Sequence, residues 1–127
     1  MTRADAWSEI ADVLSLESTL DNLGGDPELL RELLQFFLEI APQQLDELQA
    51  VVAAGDTAAV SLQAHSMKGG AANVGAVQMA ATARELEMLA RGGSLTGAEA
   101  LAARLRTDFA NLQAVLPRVD WQALIAG

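Results

Sequence analysis

Between Asp56 and Gly75 the apolar residues Val60, Ala64, Met67, Ala71 and Val74 recur at alternating steps of four and three. A strand repeats every two residues; only a helix returns a side chain to the same face at this interval. Such a seam has to be covered by other helices, so the chain must place neighbours against it. Three more segments supply them. Asp26-Pro27-Glu28 reads as a helix start, with an acid at the N-cap, proline in the first turn and a second acid near the positive end of the dipole. The helix it opens is predicted to run to about Ala54, with Leu30, Leu33, Leu34, Phe37, Leu38, Leu45, Leu48 and Val52 as its apolar face. Pro42 lies inside and predicts a kink or break near Ile40–Ala41. Of the adjacent Phe36 and Phe37, one is expected in the core and the other at a groove. A further helix spans about Ala76 to Ala90, with Met79, Ala83, Leu86 and Ala90 inward and Arg84, Glu87 and Arg91 on flanking faces. The last long helix follows a capping box at Thr96-Gly97-Ala98-Glu99, runs to about Leu116 and turns Leu101, Leu105, Phe109, Leu112 and Val115 or Leu116 inward until Pro117 limits it.

Punctuation between these segments is short: Gly55 with Asp56 as the next cap, Asn73-Val74-Gly75, and Gly92-Gly93. Short connections make sequential helices antiparallel neighbours. The predicted fold is therefore all-α, an antiparallel up-down-up-down four-helix bundle with short extra N-terminal helices at about Asp5–Leu14 and Leu16–Leu23. Val119 to Ile125 is expected to add a turn or two of helix against it. The 127 residues form one domain, with a bundle core over about 26–116.

Composition narrows the function. Cysteine is absent, so no disulfide framework or thiolate metal site can form. One histidine and no HExxH leave no readable metal centre. No GxxxxGK[ST] or GxGxxG loop is present, so there is no ATP site and the chain is not a kinase on its own. A net charge of −9 opposes nucleic-acid binding. No apolar run approaches a membrane span, and the N-terminus lacks a signal-peptide pattern; the expected setting is the cytoplasm, with no membrane partner.

One stretch carries reactive groups: Ala64-His65-Ser66-Met67-Lys68-Gly69-Gly70-Ala71-Ala72-Asn73-Val74-Gly75. It contains the only histidine and the only lysine of the chain, three residues apart and hence on one helix face. His65 sits one position off the seam and should be partly exposed. A neutral imidazole offers one lone-pair nitrogen to a phosphorus atom, while a carboxylate or amide can hold its N–H. Lys68 can neutralise phosphoryl oxygens, and a side chain larger than hydrogen at Gly69 would crowd an in-line approach. Two mid-helix glycines, each disfavoured by up to about 1 kcal/mol relative to alanine, call for a reason. Surface access is one; close helix packing is another, chiefly at Gly70. Glu87 and Arg91 also fit a plain i,i+4 surface pair.

The stretch from His65 to Gly75 resembles the phosphoacceptor motif of histidine-containing phosphotransfer (HPt) domains, and is similar to the phosphoacceptor domain of chemotaxis-type histidine kinases. The resemblance extends from about Leu16 to Leu116, with Leu23-Gly24-Gly25-Asp26-Pro27-Glu28-Leu29-Leu30 like the entry to the family's second helix and Arg84-Glu85-Leu86-Glu87 like the middle of its fourth. It implies a monomeric phosphorelay intermediate that exchanges a phosphoryl group with an aspartate of a response-regulator receiver domain or takes it from a histidine kinase, including the hybrid kind. Mg²⁺ is expected from the partner receiver domain, with no cofactor of the chain's own. By the same resemblance His65 is the phosphoacceptor, Lys68 the phosphate partner, Gly69 keeps access open, Glu87 can hold the imidazole, Arg91 is a basic residue near the phosphate and Gly75 serves the turn. Glu87 departs from the family's glutamine form. Three rival readings are the donor fragment of a larger chemotaxis-type kinase, a receiver-binding module without phosphotransfer, and a dimeric kinase-like bundle. An end at Gly127 leads us to expect a stand-alone carrier.

Overall fold

The computed structural model describes residues 10–126. Among them are six α-helices: α1 (Leu16–Asn22), α2 (Pro27–Ala53), α3 (Thr57–Asn73), α4 (Val77–Arg91), α5 (Ala98–Val115) and α6 (Trp121–Ala126), with a 3₁₀ turn over Leu116–Arg118. Each of α2 to α5 packs against the next, and α5 packs back against α2, which closes a four-helix ring. Cross-helix contacts run in opposite directions along the chain. Between α4 and α5, Gln78 meets Asn111, Thr82 meets Asp108, and Glu85 meets Arg104. Between α2 and α3, Phe37 lies beside Gly70, and the Gln44 carbonyl accepts from Gln63.

The seams are where the periodicity put them. Val60, Ala64, Met67 and Ala71 of α3 and Met79, Ala83, Leu86 and Ala90 of α4 are all buried. So are Leu30, Leu34, Phe37, Ala41, Leu45, Leu48 and Val52 of α2, and Leu105, Phe109, Leu112 and Val115 of α5; Leu33, Leu38 and Leu101 are only partly buried. Helix starts follow their chemistry: Asp26 accepts from the Leu29 N–H at 3.1 Å, and Asp56 from the Ala59 N–H at 3.0 Å. The core reaches beyond the predicted 26–116, because Leu16 and Leu20 of α1, and Val119 and Leu124 near the C-terminus, are buried in it.

Several expectations need correction. The helix predicted over Asp5–Leu14 lies for the most part outside the described residues; residues 10–13 form a turn, and Leu14 pairs with Ala76 in an isolated bridge. α2 does not break at Pro42 but continues to Ala53. A proline in a helix interior costs about 3 kcal/mol. Leu45, Leu48 and Val52 lie beyond it, and burying each is worth about 1.5–3 kcal/mol, so continuing the helix wins. The capping box at Thr96 does not form either. The N-cap is Gly97, at φ +87°, with no side-chain cap, and Thr96 instead donates its N–H to Ser94 Oγ.

The α3–α4 reversal is pinned from outside. Ser15 donates its N–H to the Gly75 carbonyl at 2.9 Å, and Val77 donates to Val13 at 3.2 Å. Gly75 has φ +76°, and a Cβ there would lie 2.4 Å from Thr19 Oγ1 and 2.6 Å from the Ser15 carbonyl oxygen. Only glycine satisfies both the turn and this close strap.

Candidate functional site

α3 packs closely on α4, and both helices bury alanines, Ala64 and Ala71 on one and Ala83 and Ala90 on the other. Small residues at a helix contact shorten the interaxial distance. A side chain rooted on α4 can then reach the outer edge of α3, and Glu87 does so. It does not lie on a solvated flank as the sequence suggested: its side chain is 3% exposed. Its neighbour Glu85, two residues back and so on the far side of the helix, pairs with Arg104 of α5 instead.

Three donors surround the buried carboxylate. His65 Nδ1 lies 2.6 Å from Glu87 Oε2, Lys68 Nζ lies 2.6 Å from Oε1, and an Arg91 guanidinium nitrogen lies 3.2 Å from Oε2. The structure thus brings four of the five sequence-predicted site residues into one cluster, and the plain surface pair of Glu87 with Arg91 gives way to a buried hub. The Lys68 hydrogen bond holds the Glu87 carboxyl below the ordinary glutamate pKa, against the opposing pull of burial, with the His65 bond and the Arg91 charge adding to the lowering. Glu87 is therefore ionised at neutral pH and can only accept. Nδ1 must be the donor, which fixes the tautomer of the neutral ring and leaves the lone pair on Nε2. The His65 side chain is 61% exposed, so this nucleophilic nitrogen belongs to a ring that solvent and partners can reach.

Lys68 carries a contact that the sequence reading did not name. One of its three N–H donors is spent on Glu87; two remain for an incoming anion. Gly69, the fifth predicted residue, is exposed, and a Cβ built there meets nothing within 4 Å. Internal packing therefore does not ask for glycine at this position. Nor does it at Gly70, whose Cβ would meet Phe37 Cε2 at 3.8 Å, an ordinary contact.

Sequence reasoning did not single out Leu62, 73% exposed and one turn before His65. Its signal was available: Leu62 is a large apolar residue off the Val60–Ala64 seam. Phe36, 59% exposed on α2, is the outward member of the phenylalanine pair, and Phe37 is the buried one. Also unforeseen was a buried polar contact of α4 with α5, in which Thr82 donates to Asp108 at 2.6 Å and accepts from Arg104 at 3.1 Å. A threonine and an aspartate beside apolar seams were the only hint.

No group of three or more His, Asp or Glu side chains able to hold a metal occurs among the described residues, and the one carboxylate at the site is ringed by cations. No helix there is long and apolar enough to cross a membrane.

No curated protein sequence matches the chain. It is similar in structure to histidine-containing phosphotransfer protein B (HptB) from Pseudomonas aeruginosa PAO1, with a TM-score of 0.71 and 33% identity over 85% of this chain and 94% of that one. The family model of the Hpt domain matches residues 32–115, a span that holds the whole His65–Glu87 cluster. The chain belongs to the Hpt domain family, the histidine phosphotransfer modules of phosphorelay signalling.

Proposed function

We propose that His65 is the phosphoacceptor and that the chain carries a phosphoryl group between aspartates of response-regulator receiver domains, or from a histidine kinase to such a receiver. The observation that carries this reading is the 2.6 Å bond from His65 Nδ1 to a buried, ionised Glu87, which leaves Nε2 as the lone-pair nitrogen of an exposed ring.

The step balances without an extra acid or base. The Nε2 lone pair attacks phosphorus, the N–P bond forms, and the bond from phosphorus to the aspartyl oxygen breaks, with the electron pair leaving on the carboxylate. The Nδ1 proton stays where it is, so the ring becomes cationic. Glu87 already faces that charge and stabilises it as it develops, before any reorganisation. Lys68 turns its two remaining donors toward the phosphoryl oxygens, and Arg91 adds positive charge close by. Transfer onward is the same step in reverse, with the partner's aspartate as nucleophile. Mg²⁺ comes with the receiver, because the carboxylate present here is occupied by cations.

Leu62 and Phe36 offer exposed apolar surface on α3 and α2 for the docked partner. The carrier acts as a monomer in the cytoplasm. Incubation with a phosphorylated receiver tests the assignment: wild type takes up label, and His65→Gln does not. Label on His65→Gln refutes it.

A further inference from the structure

From Thr57 to Arg84 the chain contains no Asp or Glu, although it has 17 acids and a net charge of −9. That span is α3, the reversal and the first half of α4. The two carboxylates that follow on α4 are both engaged, Glu87 in the His65 cluster and Glu85 with Arg104. The outward side of α3 and α4 is therefore a face without free carboxylates on an otherwise acidic body.

One stripe of that face is exposed along the whole of α4. On α4, Val77, Ala81, Arg84, Met88 and Arg91 follow at steps of four, three, four and three, and all five are exposed. Met88 is 61% exposed, one of the large apolar side chains left uncovered. Arg84 has no hydrogen-bond or ion-pair partner among the described residues, whereas Arg91, Arg104 and Arg106 each have one. Arg84 precedes Glu87 by one turn and Met88 follows it directly. The stripe therefore runs beside the carboxylate that holds His65.

We propose that this stripe docks the acidic rim of a receiver domain, with Arg84 and Met88 as its main contacts. The inference rests on the phosphotransfer reading above. A site that carries a phosphoryl-aspartate and binds Mg²⁺ is built from oxygen ligands, carboxylates foremost, so its surroundings are negative. The exposed acids of α1, α2 and α5 repel such a surface, and the acid-free face attracts it. The resulting field orients the encounter so that the receiver arrives at His65 and not at another side of the bundle. Met88 then supplies apolar area beside the charge contact, as interface anchors do.

The test uses a purified receiver domain that labels the wild-type chain and measures the second-order transfer rate at low and high salt. Arg84→Glu is expected to lower the rate about tenfold at low salt and to flatten its salt dependence, with the maximal rate at saturating receiver unchanged. Met88→Ala lowers the rate a few-fold without altering the salt slope, and Arg84→Gln falls between wild type and Arg84→Glu. Arg31→Glu makes the same change in net charge at the groove between α2 and α6 and leaves the rate within about twofold. Far-ultraviolet circular dichroism confirms that each variant is helical. Transfer by Arg84→Glu at the wild-type rate overturns the proposal, as does an equal loss in Arg31→Glu, which would make net charge and not the stripe responsible. A wild-type chain that takes label from no phosphorylated receiver refutes the phosphotransfer reading itself, and the docking stripe with it.

Discussion

Gly69 separates stability from function. It lies inside α3, exposed, and a methyl group at its Cβ position meets nothing within 4 Å. Gly69→Ala therefore introduces no clash and removes the backbone freedom that glycine contributes to the unfolded chain. The gain for an interior helical position is about 0.8–1 kcal/mol, which in a chain of 127 residues raises Tm by about 3–5 °C. If glycine is kept so that a partner can approach His65 one turn away, the same substitution must slow transfer. In-line geometry is sensitive, with a displacement of about 1 Å worth up to about 100-fold in rate. Gly69→Ala should slow transfer several-fold and Gly69→Gln more than about tenfold. Gly70→Ala is the comparison: it has the same backbone effect, but its Cβ faces Phe37 of α2 at 3.8 Å and not the partner side. It should raise Tm similarly and leave the transfer rate alone. Thermal denaturation and single-turnover transfer from a phosphorylated receiver provide both readouts. Equal slowing by Gly69→Ala and Gly70→Ala would refute the reasoning, because helix flexibility and not access would then be what glycine supplies.

Three other outcomes follow from the same coordinates. Glu87 has a lowered pKa, so its contribution to stability is complete above the pKa of an unfolded glutamate and is lost as pH falls through the folded value; Glu87→Gln should flatten the acid limb of a urea-midpoint profile, and parallel profiles for the two proteins would show that the carboxylate is not held as described. Lys68→Ala should slow transfer about 10–100-fold with receiver affinity nearly unchanged by titration calorimetry, whereas a binding module without phosphotransfer predicts no change in either. Gly75→Ala places an alanine at φ +76° with its Cβ against the Ser15 carbonyl, which should destabilise the chain by about 2–3 kcal/mol in urea unfolding; a loss under about 0.5 kcal/mol would mean that the strap over the reversal yields without strain.

What could be read before any coordinates were known divides along a physical line. The seams at Val60–Ala64–Met67–Ala71 and Met79–Ala83–Leu86–Ala90 were legible because periodicity is local and burial follows it directly. The caps at Asp26 and Asp56 were legible for the same reason, each being one side chain bonded to an amide three residues on. A break at Pro42 and a cap at Thr96 did not form because local preference was outweighed elsewhere, by apolar burial on both sides of the proline and by a glycine that starts α5 at its own left-handed position. The site shows the limit most clearly. His65, Lys68 and Gly69 share one helix and could be grouped by spacing alone, but the group that organises them sits on another helix. Glu85 and Glu87 are two residues apart, and nothing local says which of them turns toward α3. Residues two apart point to nearly opposite sides of a helix, so with Glu85 paired to Arg104 of α5 it is Glu87 that meets the histidine. Three donors, on His65, Lys68 and Arg91, share one acceptor, which the family resemblance named and helix spacing alone did not. A lone imidazole beside a lone lysine repels its neighbour when protonated. With a buried carboxylate between them the same pair becomes a fixed tautomer with a ready countercharge, so the chemistry of the exposed nitrogen on α3 is set by a residue on α4 that solvent barely touches.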